Sequence, residues 1–206
     1  EASVAVAVEL QGSELEFAQQ PNGLFADAIE ISFFALNDDG RAQRGTRASL
    51  NLAIRPETYQ RVKALGIRFN SRAIMPTGRY QLRVGARDPL TGKTGTVFYD
   101  ILIPDFAKET LMMSGLLVSS LASGAPEVFT PQRDPVAEKL LGAAPTARRE
   151  FSQAETLAWL AEIYDNIPAR PRQIEVSARL IEDGGREVFA SRDVLSNGEG
   201  GSKKWT

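Results

Sequence analysis

The sequence predicts an all-β chain: two immunoglobulin- or fibronectin-like β-sandwich units in series, the second cut short, joined by a loop-rich linker. Three observations predict it. Apolar residues alternate with polar or small ones in run after run, the two-residue period of strands with one buried face. Clusters of glycine, proline, asparagine and aspartate punctuate those runs at hairpin spacing. Helical spacing is confined to short stretches, chiefly Pro56 to Leu65, where Tyr59, Val62 and Leu65 recur every three residues and predict a short helix or crossover.

The elements follow in order. Val4, Val6, Val8 and Leu10 share one face, with Ala5, Ala7 and Glu9 on the other. Ile29, Ile31 and Phe33 form the next row, then Leu50, Leu52 and Ile54 against Ser49, Asn51 and Ala53. Asn37-Asp38-Asp39-Gly40 is a turn in which Gly40 is free to take a positive φ. Pro76-Thr77-Gly78 leads into a strand whose Tyr80, Leu82, Val84 and Ala86 alternate with Arg79, Gln81, Arg83, Gly85 and Arg87. Asp88 to Lys93 joins it to Thr96–Ile103, and Pro104 ends the pairing because it lacks a donor. About seven strands in residues 1–106 is the density of a sandwich.

Past Phe106 the pattern changes. Leu116–Leu121 reads as one strand, and prolines and glycines from Ser123 to Pro145 break the rest into loop, with one turn of helix around Val136–Leu141. A loop of this length is more often a linker or a functional segment than part of a compact domain, so 107–147 is read as a strand plus linker. Alternation resumes in 148–206: Leu157, Trp159, Ala161 and Ile163 as one strand, then Ile174, Val176, Ala178 and Leu180, a turn at Glu182-Asp183-Gly184-Gly185, and Arg186–Ser191. Ile174–Arg186 repeats the order of Ile29–Arg41: strand, acidic turn with glycine, arginine. By that repeat the second unit lacks the counterpart of the Gly78–Ile103 hairpin, and the chain is expected to be a piece of a larger protein.

Composition excludes whole classes of chemistry. Among 206 residues there is no histidine and no cysteine. The commonest general base, the commonest transition-metal ligand, the disulfide and the thiolate nucleophile are all missing. A net charge of −2 gives no electrostatic case for nucleic acid. The longest apolar run, Leu111–Leu121, is interrupted by Ser114, Gly115, Ser119 and Ser120, so no membrane span is expected.

Three stretches carry a resemblance. Pro76-Thr77-Gly78-Arg79-Tyr80-Gln81-Leu82-Arg83-Val84-Gly85-Ala86-Arg87 is similar to the "proline, x, glycine, arginine, tyrosine" strand of bacterial von Willebrand factor A-related proteins, which are abundant in Acidobacteria. Gly95–Phe106 followed by Ser114–Ser120, and Phe151–Asn166 with Val176–Arg186, resemble the region downstream of that family's A domain. The resemblance implies a secreted or periplasmic, non-catalytic segment. The family's Asp-x-Ser-x-Ser metal site has no counterpart here, so no metal-binding residue carries over.

Asp38 and Asp39 beside Gly40, and Glu182 and Asp183 beside Gly184, offer two carboxylates each where calcium wants six to eight oxygens, and read as solvated turns. Glu155 with Glu162, or Asp100 with Asp105, would have to converge to act as a glycosidase pair. Gly12-Ser13, Ser123-Gly124 and Gly198–Ser202 lack phosphate-loop spacing. Of Phe33 and Phe34 one faces the core and the other an edge or interface; Trp159 and Tyr80 are expected in the core, Tyr80 with a tyrosine-corner hydrogen bond, and Trp205 packs on further strands or lies exposed. Arg79, Arg83 and Arg87 form a basic stripe balanced by neighbouring acids. No catalytic, cofactor-binding or metal-ligating residue is assigned and no cofactor is expected. The reading is a structural or protein-interaction segment; its protein partner is unknown, neighbouring domains of its own chain being one candidate. A carbohydrate-binding or accessory module of a secreted hydrolase is the alternative.

Overall fold

Regular alternation at the N-terminus becomes strand β1 (Ala2–Leu10), paired antiparallel along its length with β5 (Ile67–Met75), Ala2 facing Met75 and Leu10 facing Ile67. The computed structural model describes residues 1–121, 126–130, 135–167 and 172–196. Between those strands come a single 3-10 turn (Gly12–Glu14), a short β2 (Ala18–Gln19) and a long hairpin of β3 (Phe25–Leu36) and β4 (Ala42–Ile54). Helix α1 (Pro56–Leu65) carries the chain from β4 to β5. It opens on Pro56, whose fixed φ suits the first helical position and whose missing N–H is not needed there. Tyr59 stacks on Phe25 at 4.0 Å and meets Phe17 edge-on at 5.6 Å, and Val62 is buried, while Leu65 is exposed.

The chain changes sheet at Pro76-Thr77, and β6 (Gly78–Arg87) pairs with β3, Phe33 opposite Val84. A tight loop returns it as β7 (Thr94–Ile103), paired with β6 from Gly78–Ile103 to Arg87–Thr94. The larger sheet therefore has β3 at its centre, β4 along one side, β2 and β6 along the other, and β7 outermost beyond β6. The smaller sheet is β1, β5 and β10 (Glu127–Phe129), the last running parallel to Ile67–Phe69.

The two sheets close on one another through two clusters. One joins Ile29, Ile31 and Leu52 of the larger sheet to Ile67 and Phe69 of the smaller, with Leu15 and Val62. The other joins Phe33, Ala35, Tyr80, Leu82 and Ile103 to Met75, flanked by Val4, Val6 and Ala73. Ile29, Ile31, Phe33, Leu52, Tyr80 and Leu82, placed in core rows by alternation, lie in these clusters, whereas the β5 residues Ile67, Phe69 and Met75 that meet them belong to no row read from the sequence.

The rest of the chain is more broken than its alternation suggests. Residues 107–147 hold β8 (Leu111–Met113), β9 (Leu117–Ser120), β10 and α2 (Pro135–Leu141). The run from Leu157 to Ile163 is not one strand but two, β11 (Leu157–Leu160) and β12 (Ile163–Asp165); β11 pairs with β9 and β12 with β8. Ser114 causes the interruption: its hydroxyl takes the Glu162 N–H at 2.8 Å and its own N–H donates to the Glu162 carbonyl at 2.8 Å. The chain divides into two units at these breaks, Glu1–Phe106 with Leu116–Ala161, and Ala107–Gly115 with Glu162–Thr206.

The described part of the second unit is two small sheets, β8 with β12, and the hairpin β13 (Gln173–Ile181) with β14 (Glu187–Ser196). The two matched turns do share a geometry. Gly40 and Gly185 sit at φ 73° and 82°, and each donates to the residue three before it, Asn37 and Glu182, at 2.8 Å. The closing pair is Asn37 to Arg41 in one turn and Glu182 to Arg186 in the other, both at 3.0 Å. Among the described residues no helix is long and apolar enough to cross a membrane.

Candidate functional site

The most exposed apolar surface of the first unit lies on β7. Only β6 pairs with it among the described residues, so the backbone groups on its other edge lack a strand partner. The smaller sheet meets only its last residues, Ile103 sharing a core cluster with Met75 and Ile101 packing against that cluster. Val97, Phe98, Tyr99 and Leu102 are accordingly 60–68% exposed. The strand is ten residues long with no register shift, no proline and no lysine. Those are the devices by which sheet edges are usually blunted. Arg83 of β6 lies 5.4 Å over the Phe98 ring, fixing that aromatic on the outer face. Val97 and Tyr99, opposite Val84 and Leu82, point to the other face.

No family model, curated protein or solved structure matches the chain.

The features singled out in the sequence fall apart in space or take structural partners. Asp38 lines a shallow depression of about 610 Å³ with Asp100, Arg79 and Arg83, two carboxylates against two guanidiniums, which leaves no excess negative charge for a cation. Glu182 is held by Arg186 at 2.6 and 2.8 Å. Glu155 lies in the first unit and Glu162 in the second. Asp100 is on exposed β7, and Asp105 follows the proline that ends it. Among the described residues no three acidic side chains gather as a metal site. Of the basic stripe, Arg87 pairs with Glu30 at 3.8 Å and Arg83 stacks on Phe98. Phe33 is buried and Phe34 is 38% exposed. Tyr80 is buried, but its hydroxyl makes no hydrogen bond among the described residues; the tyrosine-corner expectation fails because the ring instead packs beside Gly78. Trp159 is half-buried on the short β11, outside both core clusters, because among the described residues its strand pairs with β9 alone. Ser123-Gly124, Gly198–Ser202 and Trp205 lie outside the described residues.

Two charged clusters were not foreseen. Arg68, 3% exposed, donates to Glu9 at 2.9 Å, to the Ala144 carbonyl at 3.1 Å and to the Thr146 hydroxyl at 3.1 Å. Asn70 donates to the Pro145 carbonyl at 3.2 Å, so β5 grips residues 144–146 through side chains where no strand forms. Burial pushes the Glu9 carboxyl up, but the Thr146 hydroxyl, the Arg68 charge and the Ala147 N–H outweigh it and hold it below its usual value. Arg148 then reaches Glu155 with two hydrogen bonds at 2.9 and 3.0 Å, and Ser120 adds a third at 2.6 Å. Those partners bring Glu155 down to about 2. Every charged member of the clamp has its partners, while the Asn70 side-chain oxygen is buried without one.

The second cluster is less satisfied. Asp27 stands in the row of Ile29, Ile31 and Phe33, and Asp88 continues the row of Tyr80, Leu82, Val84 and Ala86. They are 8% and 5% exposed. Each has one oxygen in use, Asp27 on the Ala28 N–H at 2.7 Å and Asp88 on the Leu90 and Thr91 N–H groups at 2.8 and 3.1 Å. The other oxygen of each is buried without a partner. Since Glu30 faces Arg87, the next antiparallel step sets Asp88 by Ile29, and Asp27 is its diagonal neighbour. Burial raises the Asp27 pKa, and the Asp88 charge raises it further. The signal was in the sequence: an acid in phase with a core row.

Proposed function

We propose that the chain is a non-catalytic interaction module, built on immunoglobulin-like sandwiches of a secreted von Willebrand factor A-related bacterial protein, that takes up an extended polypeptide segment along β7. The observation that carries this reading is the unpaired, unguarded edge of β7 with four large apolar side chains exposed along it. An added strand would meet the free backbone groups and bury Val97, Phe98, Tyr99 and Leu102 in alternating pockets. The family context and the extracytoplasmic location rest on the resemblance of the Pro76–Arg87 strand and the segments after it. The alternative of carbohydrate binding is disfavoured by one point of geometry. Phe98 and Tyr99 are adjacent on a strand and project from opposite faces, so they build no shared platform for a sugar ring.

Replacing Tyr99 with a photo-reactive benzophenone amino acid tests the reading in cells that make the protein. The expected result is a covalent adduct whose mapped peptide is an extended segment of another domain, and which is lost in the Val97→Lys variant. An adduct with polysaccharide, or none, would overturn it.

A further inference from the structure

An edge as bare as that of β7 is a hazard as well as a site, since it templates pairing with any strand that reaches it. Which of its backbone groups are free follows from the hairpin. The Asp88 N–H donates to the Lys93 carbonyl at 2.9 Å, which makes Asp88 and Lys93 a hydrogen-bonded pair. The β6–β7 register continues from that pair without a shift, and hydrogen-bonded pairs alternate along it. Gly95, Val97, Tyr99 and Ile101 therefore direct their N–H and C=O groups to β6. Thr96, Phe98, Asp100 and Leu102 turn theirs outward.

The same four residues carry their side chains on the outer face, where an acid and a cation are held apart. Asp100 meets only the Gln81 amide among the described residues, at 3.5 Å. Arg83 gives its Nε–H to Gln81 at 3.0 Å and extends across β7, its guanidinium 5.4 Å over the Phe98 ring. The two charges stand along one edge without forming an ion pair with each other.

We propose that a second copy of the chain caps this edge, β7 against β7, antiparallel about a twofold axis at Tyr99, until a partner segment displaces it. Only registers that set outward groups against outward groups close the ladder. About an axis at Asp100 the two carboxylates face one another, which is destabilising. About Phe98 or Val97 each carboxylate faces a threonine, Thr96 or Thr94. About Tyr99, Asp100 of each copy faces Phe98 of the other, and with it the Arg83 guanidinium lying on that ring. The axis makes this ion pair twice, sets Val97 against Ile101, and closes the contact on two copies, where a head-to-tail contact would run on as a fibre. The inference rests on the reading of β7 as an acceptor of strands and adds what occupies it in the free protein.

The chain has no cysteine, so one introduced thiol can form only an intermolecular disulfide. Tyr99 is exposed, and in this register it opposes its own copy in a non-hydrogen-bonded pair. The Cα atoms of such a pair lie about 4.5 Å apart, within disulfide range. Air oxidation of Tyr99→Cys is expected to give a covalent dimer. Val97→Cys should give none alone and one when mixed with Ile101→Cys. Sedimentation of the whole chain should show monomer and dimer in exchange, and Asp100→Arg should raise the dissociation constant about tenfold. Adding Arg83→Asp should bring it back, the longer side chain now reaching from the opposite copy. A chain monomeric at every concentration, no covalent dimer from Tyr99→Cys, one from Val97→Cys alone, or no recovery in the charge-reversed variant would each overturn the proposal. The reading of β7 as an acceptor survives all of these and falls only if cross-linking in cells captures no protein segment.

Discussion

Asp27 is a residue at odds with its row, and its cost has a sign. A carboxyl whose folded-state pKa is raised binds its proton more tightly folded than unfolded, so stability falls as pH rises above the ordinary value of 3.8. Asp27→Asn keeps the shape and removes the charge. It should leave the melting temperature unchanged below the ordinary value of 3.8 and raise it increasingly as pH climbs above that value, levelling off once the folded-state carboxyl is ionised, read as the difference from wild type at each pH. A difference that does not grow with pH would rule the account out. Taking the difference matters because Glu9 and Glu155, both held low, act oppositely, their contribution being lost as pH falls below about 4.5. Arg68 is the converse case, a buried charge with every partner in place. Arg68→Ala should destabilise the chain by about 3 kcal/mol in urea unfolding, because Glu9 is left half-buried without its cation. Adding Glu9→Gln should recover part of that loss, and purely additive effects would mean the pair is not coupled.

At the scale of elements, legibility followed the strength of the alternation. β1, β3, β4, β6 and β7 were readable because one face of each is, or prolongs, a core row, and a two-residue period leaves no second register. α1 showed through the Tyr59 and Val62 spacing, though Leu65, third in the series, turned out exposed because the helix ends there. What could not be read was pairing that owes nothing to periodicity. β10 is three residues among prolines, held by its parallel ladder to β5. The break between β11 and β12 comes from a serine hydroxyl far along the chain, which no local pattern announces. The grip of Arg68 and Asn70 on residues 144–146 is likewise long-range, so a segment that reads as linker is pinned. For β7 the alternation was plain but its exposure was not, since a strand at a sheet edge looks like one in the middle until its neighbours are known. Within β5, Ser71 and Ala73 interrupt a row of large residues, a sign that only acquires meaning once the opposite sheet is in place.

The whole molecule joins a unit with two layers to one whose described strands form only two-stranded sheets. A lone two-stranded hairpin is marginal in water, whereas β3 is paired on both sides and packed beneath. Hydrogen exchange should therefore run much faster in the β13–β14 amides than in those of Ile29–Ala35. Comparable protection in both would show that the hairpin is covered. The clamp on Glu9 has a further consequence, in time rather than in space. Its hydrogen-bond donors Thr146 and Ala147 lie 137 and 138 residues downstream, and the strand that pairs β1 does not begin until Ile67. During synthesis β1 is thus made well before β5 can pair with it, and Glu9 well before Arg68, Thr146 or Ala147 can meet it. Contacts so distant in sequence make for slow closure, during which the unguarded edges are open to other chains. The order of manufacture, as much as the finished form, gives this protein reason to be escorted until residue 147 has been made.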